Sequence, residues 1–221
     1  MSDFELPDGR WGGWAEAART WRETGASDRL FRRDPTLWTN SGEERWLAWI
    51  DAADRQFAGL DDLRAFRDDV AKRGFSDVLL LGMGGSSLCP DVFSKTFARP
   101  AGFPRLRVVD STDPEQVIAT AEAIDLTRTL VFVSSKSGTT LEPDLLRRYF
   151  FDRVGRAIGG PAGDRFVAVT DPGSQLEATA REDGFWRIFA GEPEIGGRYS
   201  ALSAFGMAPA AAMGLDVEAL L

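Results

Sequence analysis

Five short apolar runs leave this chain few folds to choose from: residues 78–81, 106–109, 130–133, 166–169 and 186–189. None of them alternates apolar with polar residues. A strand with one wet face alternates with a period of two, so the lack of such alternation implies strands buried on both faces. Helical stretches are expected between them, near 87–97, 114–124, 141–158 and 174–181. Strands that alternate with helices build a parallel sheet covered on both sides. The expected fold is therefore α/β: a doubly wound, parallel five-stranded sheet in three αβα layers, preceded by N-terminal helices.

Those first helices are read from an apolar stripe at Trp11, Trp14, Ala18 and Trp21, taken to pack on the domain that follows. Ser41-Gly42-Glu43-Glu44 has the form of a capping box and is expected to open a helix through Trp46, Leu47, Ile50 and Ala53. Leu60, Leu63, Phe66 and Val70 mark another, stopped by Gly74. The expected organisation is a helical region over 1–74 that packs on a sheet domain over 75–221.

Composition removes several function classes. A formal net charge of −8 argues against sequence-independent nucleic-acid binding, which needs a basic face. With no histidine in the chain, neither a Ser-His-Asp triad nor a histidine-ligated zinc can be built from it. The single cysteine, Cys89, forbids internal disulfides and suits a reducing, cytoplasmic setting. No leader is expected at the N-terminus. Residues 201–215 are apolar but carry Pro209, which is expected to break them, so no membrane span is expected.

Ligands of open parallel sheets collect where strand C-termini meet helix N-termini. Here the first run enters "GMGGSSLCP" and the third enters "SSKSGTT". Gly82, Gly84 and Gly85 let backbone approach a ligand closely, and the amides of the following helix face an anion. Five hydroxyls then supply short donors around a phosphate, Gly138 gives clearance, and Lys136 supplies a point charge. Three of the 26 basic residues are lysines, which makes Lys136 a pointed choice.

Two other readings of these loops stand beside that one. "SSKSGTT" also suits an ordinary N-capping loop. Gly82-x-Gly84-x-x-Ser87, with Asp110 closing the second run, resembles a dinucleotide fingerprint whose third glycine has become serine. A third segment, "GGRYSALSAFG", puts Arg198 at a loop-to-helix junction, where an isolated arginine is as readily a turn cap.

Together these stretches resemble glucose-6-phosphate isomerase. "LGMGGSSL" is similar to the family's glycine-glycine-serine loop, "SSKSGTTLE" to its Ser-Lys-x-x-Thr-Thr-x-Glu phosphate loop, and "GGRYSALSAFG" to its Gly-Gly-Arg segment. "RRDPTLWT" and the tryptophan-rich start further resemble the isomerase part of fused transaldolase/glucose-6-phosphate isomerase proteins. The resemblance runs from about residue 30 onward. It implies an SIS-type, flavodoxin-like sheet, no metal or organic cofactor, and glucose 6-phosphate and fructose 6-phosphate as ligands.

It further implies that Ser86, Ser135, Lys136, Ser137 and Thr140 hold the phosphate, with Thr139 and the backbone of Gly84 and Gly85 close by. Arg198 would stand near the sugar's C1 and C2 oxygens. Ser137-Gly138 replaces a bulkier pair common in the family. The family's catalytic glutamate lies in a second SIS domain, and its ring-opening histidine and a lysine come later. A second SIS domain and a homodimer are therefore expected of the complete enzyme. The apolar end "GLDVEALL" reads as a cut, not a finished terminus. Glu142, at a helix start, is expected to be structural, and Cys89 a small buried hydrophobe. Non-catalytic sugar-phosphate sensing is the alternative use of the same domain.

Overall fold

The computed structural model describes residues 13–221; Trp11 of the expected stripe lies outside them. Helices α1 (Trp14–Glu23) and α2 (Ala26–Phe31) lead through short 3-10 turns to α3 (Ala52–Ala58) and α4 (Leu60–Arg73). The alternating part runs β1 (Asp77–Gly82), α5 (Leu88–Thr96), β2 (Arg105–Val109), α6 (Pro114–Glu122) and β3 (Thr129–Ser134). It continues through α7 (Leu141–Ile158), β4 (Phe166–Thr170), α8 (Gln175–Glu182) and β5 (Arg187–Ala190), then α9 (Ala204–Ala212) and α10 (Val217–Leu220).

All neighbouring strands are parallel, in the order β2-β1-β3-β4-β5. That is the flavodoxin-like doubly wound arrangement, with helices on both faces of the sheet. The missing alternation has a direct cause in the central strands β1, β3 and β4, which are buried throughout: their successive residues enter two different cores. Val78, Leu80, Leu130, Phe132 and Val167 face α4 and α9, while Leu79, Leu81, Val131, Val133 and Phe166 face α6, α7 and α8. Helix α4 presents Leu60, Leu63, Phe66 and Val70 to the first core and stops at Gly74, whose φ of 65° is the left-handed C-terminal cap.

Three local expectations are corrected. Helix α1 buries none of its residues and packs on α2, with Trp14 and Trp21 exposed. Its stripe is amphipathic, but the sheet is already covered by α4. Ser41 does not start a long helix either. The carboxylate of Glu43, one position before the expected Glu44, accepts from the amides of Thr39 and Ser41, and one 3-10 turn follows (Glu43–Arg45). Leu47 then makes an antiparallel bridge to Ile195, which a continuous helix would forbid. Pro209 lies inside α9 without ending it. A mid-helix proline costs about 3 kcal/mol, which is offset here because every residue of α9 is buried. No helix among the described residues is long and apolar enough to cross a membrane.

Candidate functional site

The strand order reverses between β1 and β3, where Gly82 pairs in register with Ser134. Both polar loops leave the sheet at this switch point and meet there. The Ser134 hydroxyl donates to the Ser86 carbonyl at 2.9 Å. A Cβ on Gly82 would come within 3.0 Å of the Ser134 carbonyl oxygen, so only glycine lets the two strand ends approach this closely.

The first loop makes a 3-10 turn (Gly84–Ser86) before α5. Ser87 is buried and donates to the Gly84 carbonyl at 3.2 Å, so the residue standing for a third dinucleotide glycine tightens this turn. In the second loop, Ser135 Oγ lies 3.3 Å from Thr140 Oγ1, and Ser137 Oγ lies 3.0 Å from Thr139 Oγ1. Gly138 has a φ of 69°, and a Cβ there would lie 2.6 Å from the Leu176 amide nitrogen. The glycine therefore presses this loop onto the start of α8. Helix α7 begins at Leu141 with no side chain capping its first turn, which leaves amides at the head of the helix without a side-chain partner.

The arginine segment reaches the same rim. It forms a 3-10 turn (Gly197–Leu202), in which the Ser200 hydroxyl donates to the Gly197 carbonyl at 2.8 Å and lies 3.4 Å from the Gly85 carbonyl. A Cβ on Gly85 would lie 2.0 Å from the Gly197 carbonyl oxygen. Gly85 and Gly197 thus touch backbone to backbone, with Arg198 next in the chain and exposed.

Lys136 departs from the point-charge expectation. Its ammonium pairs with the Asp171 carboxylate at the end of β4 and donates to the carbonyls of Glu192 at 3.1 Å and Pro193 at 3.4 Å. Asp171 escaped the sequence reading; the available signal was an acid directly after the fourth apolar run.

A cleft of about 820 Å³ opens over this rim, between Gly84–Gly85, Lys136 and Arg198 on one side and Trp38, Trp46 and Trp49 on the other. Trp49 stacks on Tyr199, with ring centroids 5.7 Å apart. Trp38 and Trp46 are about half exposed and line the cleft, a placement their spacing did not reveal. The N-terminal region is fastened to the arginine segment by Arg55, which pairs with Glu192 at 2.9 Å and Glu194 at 3.5 Å, and by the Ala48 amide donating to the Glu194 carbonyl at 3.3 Å.

Glu43 is the carboxylate that lines the cleft among the described residues. Hydrogen bonds from the Thr39 hydroxyl and the Ser41 amide lower its pKa from 4.5 to about 2. Stability from these bonds is fully present above pH 4.5 and is lost as pH falls through 2. A carboxyl-carbon NMR titration is expected to show Glu43 ionising near pH 2, and a midpoint near 4.5 would refute the capture. Glu142 stands in the first turn of α7, and burial raises the Cys89 thiol to about 11.

The family model for phosphoglucose isomerase matches residues 64–221. The chain belongs to the phosphoglucose isomerase family. It is 38% identical over 151 residues to the glucose-6-phosphate isomerase of Synechococcus sp. (strain JA-3-3Ab), covering 66% of this chain and 28% of that protein. It is 33% identical over 176 residues to a glucose-6-phosphate isomerase of Thermus thermophilus, covering 79% and 41%.

Among solved structures it is similar to a hypothetical protein of Thermus thermophilus, with a TM-score of 0.78 and 31% identity over 95% of this chain and 48% of that one. It is also similar to a glucose-6-phosphate isomerase of Chlamydia trachomatis, with a TM-score of 0.61 and 30% identity over 75% of this chain and 32% of that one. The chain therefore spans less than half the length of each of these relatives. All three motif loops lie within the matched residues of this phosphoglucose isomerase family member.

Proposed function

We propose that this chain is the phosphate-binding SIS portion, residues 75–221, of an isomerase that interconverts glucose 6-phosphate and fructose 6-phosphate, with Trp38, Trp46 and Trp49 of the preceding region forming one wall of its cleft. The observation that carries this reading is the meeting of three loops at the β1/β3 switch point, through the Ser134–Ser86 hydrogen bond and the Gly85–Gly197 contact. The hydroxyls of Ser86, Ser135, Ser137, Thr139 and Thr140, with the Gly85 amide and the start of α7, surround the phosphate with short donors. A dianion suits such a site because helix-terminal amides and hydroxyls give directional bonds without crowding.

Arg198 faces the sugar's C1 and C2 oxygens. A cation there stabilises the enediolate formed when a proton moves between the two carbons. The base that moves this proton comes from a second SIS domain, and the complete enzyme is a homodimer. No metal or organic cofactor is required by proton transfer of this kind.

Calorimetric titration tests the reading. Glucose 6-phosphate is expected to bind with saturation, glucose far more weakly, and NAD not at all. Thr140→Val should weaken the phosphorylated sugar by roughly tenfold, the value of one hydrogen bond to a charged group, and leave glucose unaffected. Equal affinity for the two sugars would overturn the phosphate assignment, and NAD binding would revive the dinucleotide reading.

A further inference from the structure

We infer that Lys136 is a positioning residue that fastens the phosphate loop to the segment bearing Arg198, and is not the phosphate's counter-charge. The inference rests on the proposed phosphate site and gives one of its members a different task.

An ammonium has three N–H donors. Those of Lys136 have three acceptors within reach: the Asp171 carboxylate and the carbonyls of Glu192 and Pro193. None is left over for a ligand. The pair is also largely shielded, with about a fifth of each side chain exposed, so its mutual attraction is weakly screened. Asp171 makes one further bond and one close packing contact. Its amide donates to the Lys136 carbonyl at 3.1 Å. Its other carboxylate oxygen is buried without a partner, against Gly191, where a Cβ would lie 2.5 Å away.

The three acceptors of Lys136 sit on two separate pieces of chain. Asp171 follows β4, whose end also holds the phosphate loop, through Ser135 N–H to the Val169 carbonyl at 3.0 Å and the Thr170 hydroxyl to the Ser135 carbonyl at 2.7 Å. Glu192 and Pro193 begin the segment that reaches Arg198 five residues later. Lys136 therefore spans the gap between the loop that would hold phosphate and the segment that would present the guanidinium. This ammonium is a direct link between those two functions, beside the Gly85–Gly197 contact.

The two roles predict opposite signs for one variant. Asp171→Asn removes the carboxylate that neutralises the ammonium. If Lys136 were the phosphate's counter-charge, freeing it would tighten glucose 6-phosphate binding. If it is the clamp, Asp171→Asn weakens binding by roughly tenfold or more, as a misplaced site does. Lys136→Met should weaken it to a similar extent, and the double variant no further than either single one, because both remove the same link.

A second arm needs no ligand. In the unliganded 221-residue chain, amide exchange is expected to rise together in residues 134–140 and 191–199 for Asp171→Asn and Lys136→Met, with α6 unchanged. Lys136→Arg, which keeps charge and donors, should stay close to the parent protein. Tighter binding in Asp171→Asn, or exchange that rises in one segment alone, overturns the clamp. If the parent protein fails to bind glucose 6-phosphate, the phosphate-site reading falls and the exchange arm still decides the link.

Discussion

Gly85→Ala is expected to abolish measurable glucose 6-phosphate binding and to lower the melting temperature by about 5–10 °C, from an overpacking cost of about 1–3 kcal/mol. The added methyl would fall 2.0 Å from the Gly197 carbonyl oxygen and 2.5 Å from its carbon. Both are backbone atoms, so no rotamer change relieves the clash. Relief requires the two loops to part, and parting them moves Arg198 away from the hydroxyls. Gly197→Ala is the matched control. A Cβ there meets nothing within 4 Å, and its melting temperature should be unchanged or slightly raised, because alanine restricts the unfolded chain. Calorimetry and thermal melts on the two variants decide the matter. An undisturbed Gly85→Ala would mean that the loops are not in contact.

Fructose 6-phosphate turnover by this chain is expected to be indistinguishable from the protein-free rate. Proton transfer between C1 and C2 calls for a base within hydrogen-bond reach and with a pKa near the working pH, and such a base is worth about 10²–10⁴ in rate. The chain has no histidine. Glu43, in the cleft, is held near a pKa of about 2 by the Thr39 hydroxyl and the Ser41 amide, so it is protonated only with difficulty and its oxygens are already engaged. A coupled assay over time checks this. Robust turnover that disappears in Glu43→Gln would identify Glu43 as a base in spite of those bonds.

The sheet was legible because its evidence is local. Each of the five apolar runs became a strand within a residue or two of its expected ends, since burial on both faces imposes a pattern that one strand carries alone. Helix α7 matches its expected span and ends at Gly159, which takes the left-handed conformation. The two polar loops were legible for the same reason: each follows a strand and precedes a helix.

What stayed hidden depends on residues far apart in the chain. Lys136 could not be seen to pair with Asp171, nor Leu47 with Ile195, because neither partner alters the other's local pattern. The helix expected after Ser41 failed because Glu43 turned its carboxylate upstream and the bridge at Leu47 intervened. Nothing in the local pattern around Trp38 and Trp46 marks the cleft beside them, which is visible only in three dimensions. Pro209 misled in the opposite direction, because enclosure on all sides of α9 outweighed a strong local signal.

The fastening of the arginine segment by Arg55 and Gln56, which reach Glu192 across 137 and 136 positions of sequence, also bears on the order of assembly. Ring closures of that length are late events, since the search they require is made cheaper by every element already in place. During synthesis, Arg55 and Gln56 must wait for Glu192 to emerge before they have a partner. The loop after β3 has its partners at Thr170 and the start of α8 only shortly before then, and Arg198 follows as the last component delivered to the rim.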